Sequence, residues 1–271
     1  MVENWNRCAQ EASTEFFCIL HQDDCHTSSY IDECVSALRA HPEAGLVYTD
    51  VEVIDEQGSI VQSKRFKIKE RIPHGPSSAN GLRIWPSMEL GKELLRGDFI
   101  NCPTVFFRKS AFETIGPFDS RFKQVQDWEY WFRACVKGVA FIHLQKKLYL
   151  YRDHKGSASS EYRKQLLKYE ERAQLVREMF QMAQDRNWVA PKDWVTVRRT
   201  IFDVLLWDAA ENLAEGQKDL FNSKFDFAEK RWPEFCRYFP AVFLKKWSAL
   251  GRIGAKVALF GVQLLAKLRI V

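Results

Sequence analysis

Apolar and polar positions change period several times along this chain, and each change marks an element. Phe16-Phe17-Cys18-Ile19-Leu20 is a short aromatic and aliphatic run, which predicts a buried strand over 16–20 behind a helix over 4–14. Ile31, Cys34, Val35 and Leu38 recur at helical spacing. Thr27, Ser28 and Ser29 offer caps and His41-Pro42 a stop, so 28–40 is a second helix. Leu46 to Ile54 alternates as a strand does, and Glu56-Gln57-Gly58 turns it into Ser59-Ile60-Val61. Residues 62–92 gather Pro73, Gly75, Pro76, Asn80 and Gly81. They predict a long loop carrying a short helix, of the kind that often serves as a lid.

Further on, Asn101 to Phe107 predicts a strand and Lys109 to Thr114 a short helix, with a turn at Gly116-Pro117. Asp127 to Lys137 is an amphipathic helix stopped by Gly138, and two strands follow, Val139 to Leu144 and Lys147 to Tyr151. From about residue 160 the pattern is helical only. Residues 161–186 are highly charged, and 193–215 place Val195, Ile201, Val204, Leu205 and Leu213 toward a core. Alternating strands and helices followed by helices alone predict an α/β domain with a helical C-terminal region.

A chain of 271 residues can bury a sizeable core. Aromatics at 14% with only 9 prolines and 13 glycines exclude a disordered chain. A net charge of +5 does not call for nucleic acid. Seven cysteines, an odd count without a Cys-x-x-Cys, argue against a disulfide framework and a zinc site, and fit a reducing cytoplasm. The N-terminus is polar and shows no apolar segment of a secretory signal. After Glu234 there is no acid, whereas Lys245, Lys246, Arg252, Lys256, Lys267 and Arg269 follow. On a helical wheel Ile253, Val257, Phe260, Leu264 and Leu268 share one face there. Residues 240–271 therefore read as a basic amphipathic tail, suited to a peripheral contact with the inner face of the plasma membrane; the bland alternative is a core helix.

The candidate chemistry is acidic. Asp23 and Asp24 follow the first predicted strand, and two adjacent carboxylates at a strand end suit a hard divalent cation that also holds a phosphate. Taken alone, an Asp-Asp pair is more often a helix cap or a turn. Asp127 opens its helix, where the macrodipole favours any acid, but Trp128 and Trp131 beside it suit a sugar site. His154 lies in Tyr151-Arg152-Asp153-His154, ahead of Ser157 and Ser159.

Taken in order, these segments resemble the second half of a family 2 glycosyltransferase of the GT-A fold. The resemblance runs from Asn6 to Ser159, through Ala12 and Glu15, His21-Gln22-Asp23-Asp24, Gly45 to Asp50, Ile54 to Gly58, Gly116-Pro117-Phe118-Asp119 and Gln126 to Arg133. It implies an incomplete GT-A, Rossmann-like nucleotide-diphospho-sugar transferase domain over 1–158, a helical region over 159–239 and the tail over 240–271. By this resemblance the family's N-terminal nucleotide-binding half would be missing, His21 stands in place of the family's first Asp, and Gln126 stands where the family often has Glu.

By the same resemblance, Asp23 and Asp24 would ligate Mn2+ or Mg2+, and Asp127 would be the general base. Asp24, Arg133 and His154 would contact the cofactor and donor diphosphate, with an ion-pair role the alternative for Arg133. The expected activity is transfer of a sugar from a nucleotide-sugar donor to a glycan or lipid-linked acceptor in polysaccharide biosynthesis. Two rivals remain, a non-catalytic remnant of such an enzyme and a metal-dependent phosphohydrolase.

Overall fold

The computed structural model describes residues 1–62, 81–154 and 166–237, together with 241, 242 and 244. Two compact units divide the chain: residues 1–171 with 177–191, and residues 172–176 with those from 192 on. The first is α/β and the second helical, as the change of pattern near residue 160 anticipates.

The α/β unit is built on one six-stranded sheet. Its elements are α1 (Val2–Glu11), β1 (Phe16–Cys18), β2 (Cys25–His26), α2 (Tyr30–Ala40), β3 (Ala44–Ile54), β4 (Leu82–Trp85), α3 (Ser87–Leu94), β5 (Phe106–Arg108), α4 (Lys109–Ile115), α5 (Gln126–Val136), β6 (Ala140–Arg152) and α6 (Leu167–Asp185). The strand order is β1-β5-β3-β6-β2, with β4 also on β6. The long strands β3 and β6 run parallel, from Ala44 opposite Ala140 to Ile54 opposite Arg152. The other pairings are antiparallel.

β6 serves two partners on its other edge. Its first half pairs with β4, Phe141 to Leu144 against Trp85 to Leu82, and its second half with β2, Tyr149 and Leu150 against His26 and Cys25. Between them the β3 register slips, so that Leu144 faces Thr49 but Lys147 faces Asp50. Such a bulge bends and re-aims a strand. It is also why the sequence reads as two strands: Gln145 and Lys146 break the alternation inside one continuous strand.

Apolar faces of α2 and the sheet meet in a core of Tyr30, Cys34, Leu38, Val47, Phe106, Ile142 and Tyr149. A second core is aromatic. Phe118 stacks on Tyr130 at 4.1 Å, Phe107 stacks on Phe17 at 5.0 Å, and Trp131 packs edge-on to Phe141. In the helical unit, α8 (Arg199–Ala214) buries Ile201, Phe202, Leu205 and Leu213, while α9 (Lys218–Arg231) buries Phe221, Phe225 and Ala228; a single turn, α7 (Trp194–Val197), precedes them. Phe235 closes that core against Phe202 and Phe225.

Several sequence-based expectations shift. The expected strand over 101–107 is confined to β5, because Cys102–Thr104 turns as a 3-10 helix. Strand β4 falls inside the stretch read as loop and short helix, whose centre, 63–80, lies outside the described residues. Val195 is 49% exposed rather than core. Helix α9, not singled out within the helical region expected over 159–239, is a full element. Nearly all of the 240–271 tail lies outside the described residues, and among those described no helix is long and apolar enough to cross a membrane.

Gly45 of β3 packs directly against Val139 and Ala111. A Cβ there would stand 2.5 Å from Val139 Cγ1 and 2.6 Å from Ala111 Cβ. Gly45→Ala should therefore cost about 1–3 kcal/mol, the range for overpacking a filled site. Urea unfolding measures it, and an unchanged midpoint would contradict the close packing of β3.

Candidate active site

The acidic pair sits in the turn from β1 to β2, closed by the Asp24 N–H donating to the His21 carbonyl at 3.3 Å. β2 is only two residues long, yet its pairing with Tyr149 and Leu150 lays the turn against the end of β6. Arg152, the last residue of β6, then ties it down. Its backbone N–H donates to Asp24 Oδ1 at 2.8 Å. Its guanidinium donates to the Asp23 carbonyl at 2.9 Å and to the carbonyls of Asp55 and Glu56 at 2.7 and 3.1 Å. One side chain thus joins the acidic turn to the turn after β3. Two residues on, His154 Nε2 lies 2.9 Å from Asp23 Oδ2. Residues 131 positions apart in the sequence meet here.

The two carboxylates differ electrostatically. Burial alone would raise Asp23, but the His154 hydrogen bond and charge outweigh it and hold Asp23 below its ordinary value. Burial pushes Asp24 up to about 6, against the pull of the Arg152 N–H, and the neighbouring Asp23 charge adds to the rise. The buried Tyr149 hydroxyl faces the same carboxylate without closing a hydrogen bond of ordinary geometry. His21 is lowered by burial, with Asp23 opposing, and its ring stacks on Trp5 at 5.5 Å.

This donor set fits a hard divalent cation. Asp23 is ionised with its side chain 38% exposed, Asp24 is adjacent, and the imidazole of His154 is within one ligand's reach. Among the described residues no group of three or more His, Cys, Asp or Glu converges as a ready metal cage. An open two-carboxylate edge is the arrangement of a cation that keeps waters and substrate phosphates among its ligands.

Asp127 stands in the first turn of α5, half-buried, accepting the Trp128 N–H at 2.9 Å. The indoles beside it face inward. Trp128 is 1% exposed and donates to the Leu94 carbonyl, and Trp131 is fully buried. They brace the helix and do not form an open sugar platform. Helix α1 brackets the two acidic segments: Trp5 packs on both His21 and Phe118, and the Asn6 amide exchanges two hydrogen bonds with the Phe118 backbone, while Phe118 stacks on Tyr130 of α5.

Arg133 takes the ion-pair role. It bonds Glu129 at 2.7 Å and donates to the carbonyls of Ile115 and Pro117 at 2.6 and 2.7 Å, across Gly116, whose φ of +87° favours glycine. Sequence reasoning gave Arg152, inside the quoted Tyr-Arg-Asp-His run, no role of its own and missed Tyr149 just before it; strand pairing reveals that they face the acidic turn.

No family model matches the chain, and no curated protein matches it. Solved structures do. S. aureus TarS 1–349 in complex with UDP-GlcNAc is similar at 12% identity and a TM-score of 0.41, over 97% of this chain and 70% of that one. A crystal structure of S. aureus TarS matches at 12% identity and 0.41, over 73% of this chain and 40% of that one. A further structure of TarS 1–349 matches at 13% and 0.40, over 85% and 70%.

The raised Asp24 carries a stability consequence. Its folded-state pKa of about 6 exceeds its ordinary value of 3.8, so folding favours the protonated form. The penalty of the buried charge is absent below the ordinary value and complete above about 6. Asp24→Asn is neutral throughout. Its Tm relative to the native chain should be lowest near pH 4, climb to about pH 6 and level off by pH 7. A constant difference over that range would contradict the burial of the Asp24 charge.

Proposed function

We propose that the chain is a glycosyltransferase that moves a sugar from a nucleotide-sugar donor to a glycan or lipid-linked acceptor. The observation that supports it most is the meeting of Asp23 and Asp24 with His154 under Arg152. These are the segments that the family resemblance pairs across more than a hundred residues. Asp23 would hold Mn2+ or Mg2+ with Asp24, directly or through water, and the ion would supply Lewis-acid stabilisation to the departing diphosphate. Arg152 keeps the acidic turn in place through the Asp23 carbonyl and, from its own backbone N–H, Asp24 Oδ1, leaving the remaining carboxylate oxygens for the cation. His154 orients the Asp23 carboxylate and faces the donor side. Asp127 takes the proton from the acceptor hydroxyl as that oxygen attacks, in a direct displacement that inverts the sugar carbon. Arg133, committed to Glu129 and two carbonyls, belongs to the support of α5 and not to the donor. Residues 240–271 would add a peripheral contact with an anionic membrane, where a lipid-linked acceptor resides.

Two substitutions separate the roles. With the full chain, Mn2+ and a panel of UDP-, GDP- and dTDP-sugars, Asp23→Asn should lose metal-dependent donor binding. Asp127→Asn should keep it and lower turnover by ~10²–10⁴-fold. Donor affinity indifferent to Mn2+ in the native chain would sink the metal assignment. Metal-dependent hydrolysis of simple phosphate esters, with no transfer, would favour a phosphohydrolase. Donor binding without transfer to any acceptor would favour a non-catalytic chain.

A further inference from the structure

Two neighbouring residues of α1 reach the two halves of the candidate site. Trp5, 7% exposed, stacks on the His21 ring of the acidic turn at 5.5 Å and packs edge-on to Phe118 at 5.4 Å. Asn6 holds the segment that leads to α5. Its Oδ1 accepts the Phe118 N–H at 2.7 Å, and its Nδ2 donates to the Phe118 carbonyl at 2.9 Å. The amide thus pairs with one residue's backbone as a neighbouring strand would.

The peptide between Pro117 and Phe118 is bonded on both sides. Its N–H donates to Asn6 of α1, and its oxygen accepts from Arg133 of α5 at 2.7 Å. Arg133 also donates to the Ile115 carbonyl and pairs with Glu129. The Phe118 ring stacks on Tyr130 of the same helix at 4.1 Å. Hydrogen bonds and ring contacts therefore run unbroken from His21, through Trp5 and Asn6, to the helix that carries Asp127 in its first turn.

Helix α1 is itself fixed. Lys109 Nζ donates to the Ala9 carbonyl at 2.7 Å, at the C-terminal turn where a cation suits the helix dipole. A held element with one contact on each side of a site sets a separation. Transfer of a group needs the base and the departing diphosphate at matched positions, and a misplacement of ~1 Å can cost ~10²-fold in rate. The acidic turn has supports besides α1, in Arg152 and the pairing of β2. The 117–118 peptide would lose one of its two sides without Asn6. A change at Asn6 therefore acts on Asp127 and leaves the cation site in place.

We propose that Asn6 is a positioning residue, which fixes the separation of Asp127 from the acidic turn by way of Phe118. This rests on the transferase reading, which makes Asp127 the base and the acidic turn the cation site. Asn6→Ala in the full chain removes both bonds to Phe118. With the UDP-, GDP- or dTDP-sugar that the native chain uses, its turnover should fall ~10–100-fold while donor KM and Mn2+ stoichiometry stay unchanged. Partial unfolding would lower turnover and Mn2+ stoichiometry together, and that result would overturn the positioning role. A second readout needs no transfer. Mn2+ alone should erase the His154 imidazole signals of the variant as it does those of the native chain. Its broadening of the Trp128 indole N–H, next to Asp127, should differ between the two. Equal Trp128 broadening, or native turnover in the variant, overturns the proposal. If the native chain transfers no sugar, the transferase reading falls and the Trp128 signal still decides the spacing role. A native chain that binds no Mn2+ overturns both. If Asn6→Ala does not fold, Asn6→Asp keeps the acceptor for the Phe118 N–H, loses the donor and should change both readouts in the same direction.

Discussion

The parallel pairing of β3 with β6 sets where the rest of the α/β unit lies. It spans Ala44 to Ile54 on one strand and Ala140 to Arg152 on the other, and the bulge midway re-aims β6. Before the bulge β6 holds β4, and after it β6 holds β2. Because β2 has only two residues, its position depends on that pairing, and the acidic turn depends on β2. Arg152 and His154 reach the turn only because β6 ends there. A slip of one residue would carry Arg152 to the opposite face of the sheet.

The site combines a fixed backbone with unequal carboxylates. The Arg152 guanidinium bonds carbonyls while its backbone N–H donates to Asp24 Oδ1, so it anchors the turn without a side-chain ion pair to either carboxylate. Asp23, beside His154, stays ionised, while Asp24 is raised by burial. A carboxylate whose charge is disfavoured by burial is a local cost that a divalent cation would relieve, and such costs concentrate at functional sites. Helix α5, which carries Asp127, is fixed in a comparable way. Arg133 stitches it to the Gly116-Pro117 turn, and Glu171 holds the loop before it. Neither residue touches a proposed substrate position, and both define where Asp127 stands.

Strong local periodicity was legible. The helix over 28–40 appears as α2, with Cys34 and Leu38 buried as its stripe requires, although Ile31 on that stripe is 46% exposed. The strand over 46–54 appears within β3, and the helix from Asp127 is α5. Long-range features were not. β4 is four residues with no alternation to announce it, and it exists because β6 offers an edge. β6 read as two strands because a bulge is a pairing event and leaves only a gap in the pattern. Asp23, Asp24 and His154 could be named from their order along the chain. Arg133 could be read either way until its carbonyl partners were seen. The distinct environments of Asp23 and Asp24 came only with burial and with the Arg152 N–H, which no spacing rule contains.

The central claim is that β6 delivers His154 to the acidic turn, beside the cation that Asp23 and Asp24 are proposed to hold. Paramagnetic broadening of histidine side-chain signals by Mn2+ tests it most directly. His41, beyond the far end of α2, stands about 15 Å along that helix from its start beside β2, taking 1.5 Å per residue. The account predicts that the His154 imidazole signals disappear first as Mn2+ is added, well before those of His41, and that they stay visible under the same titration in Asp23→Asn. Survival of the native His154 signals at a full equivalent of Mn2+, or their loss to the same extent in Asp23→Asn, would contradict it.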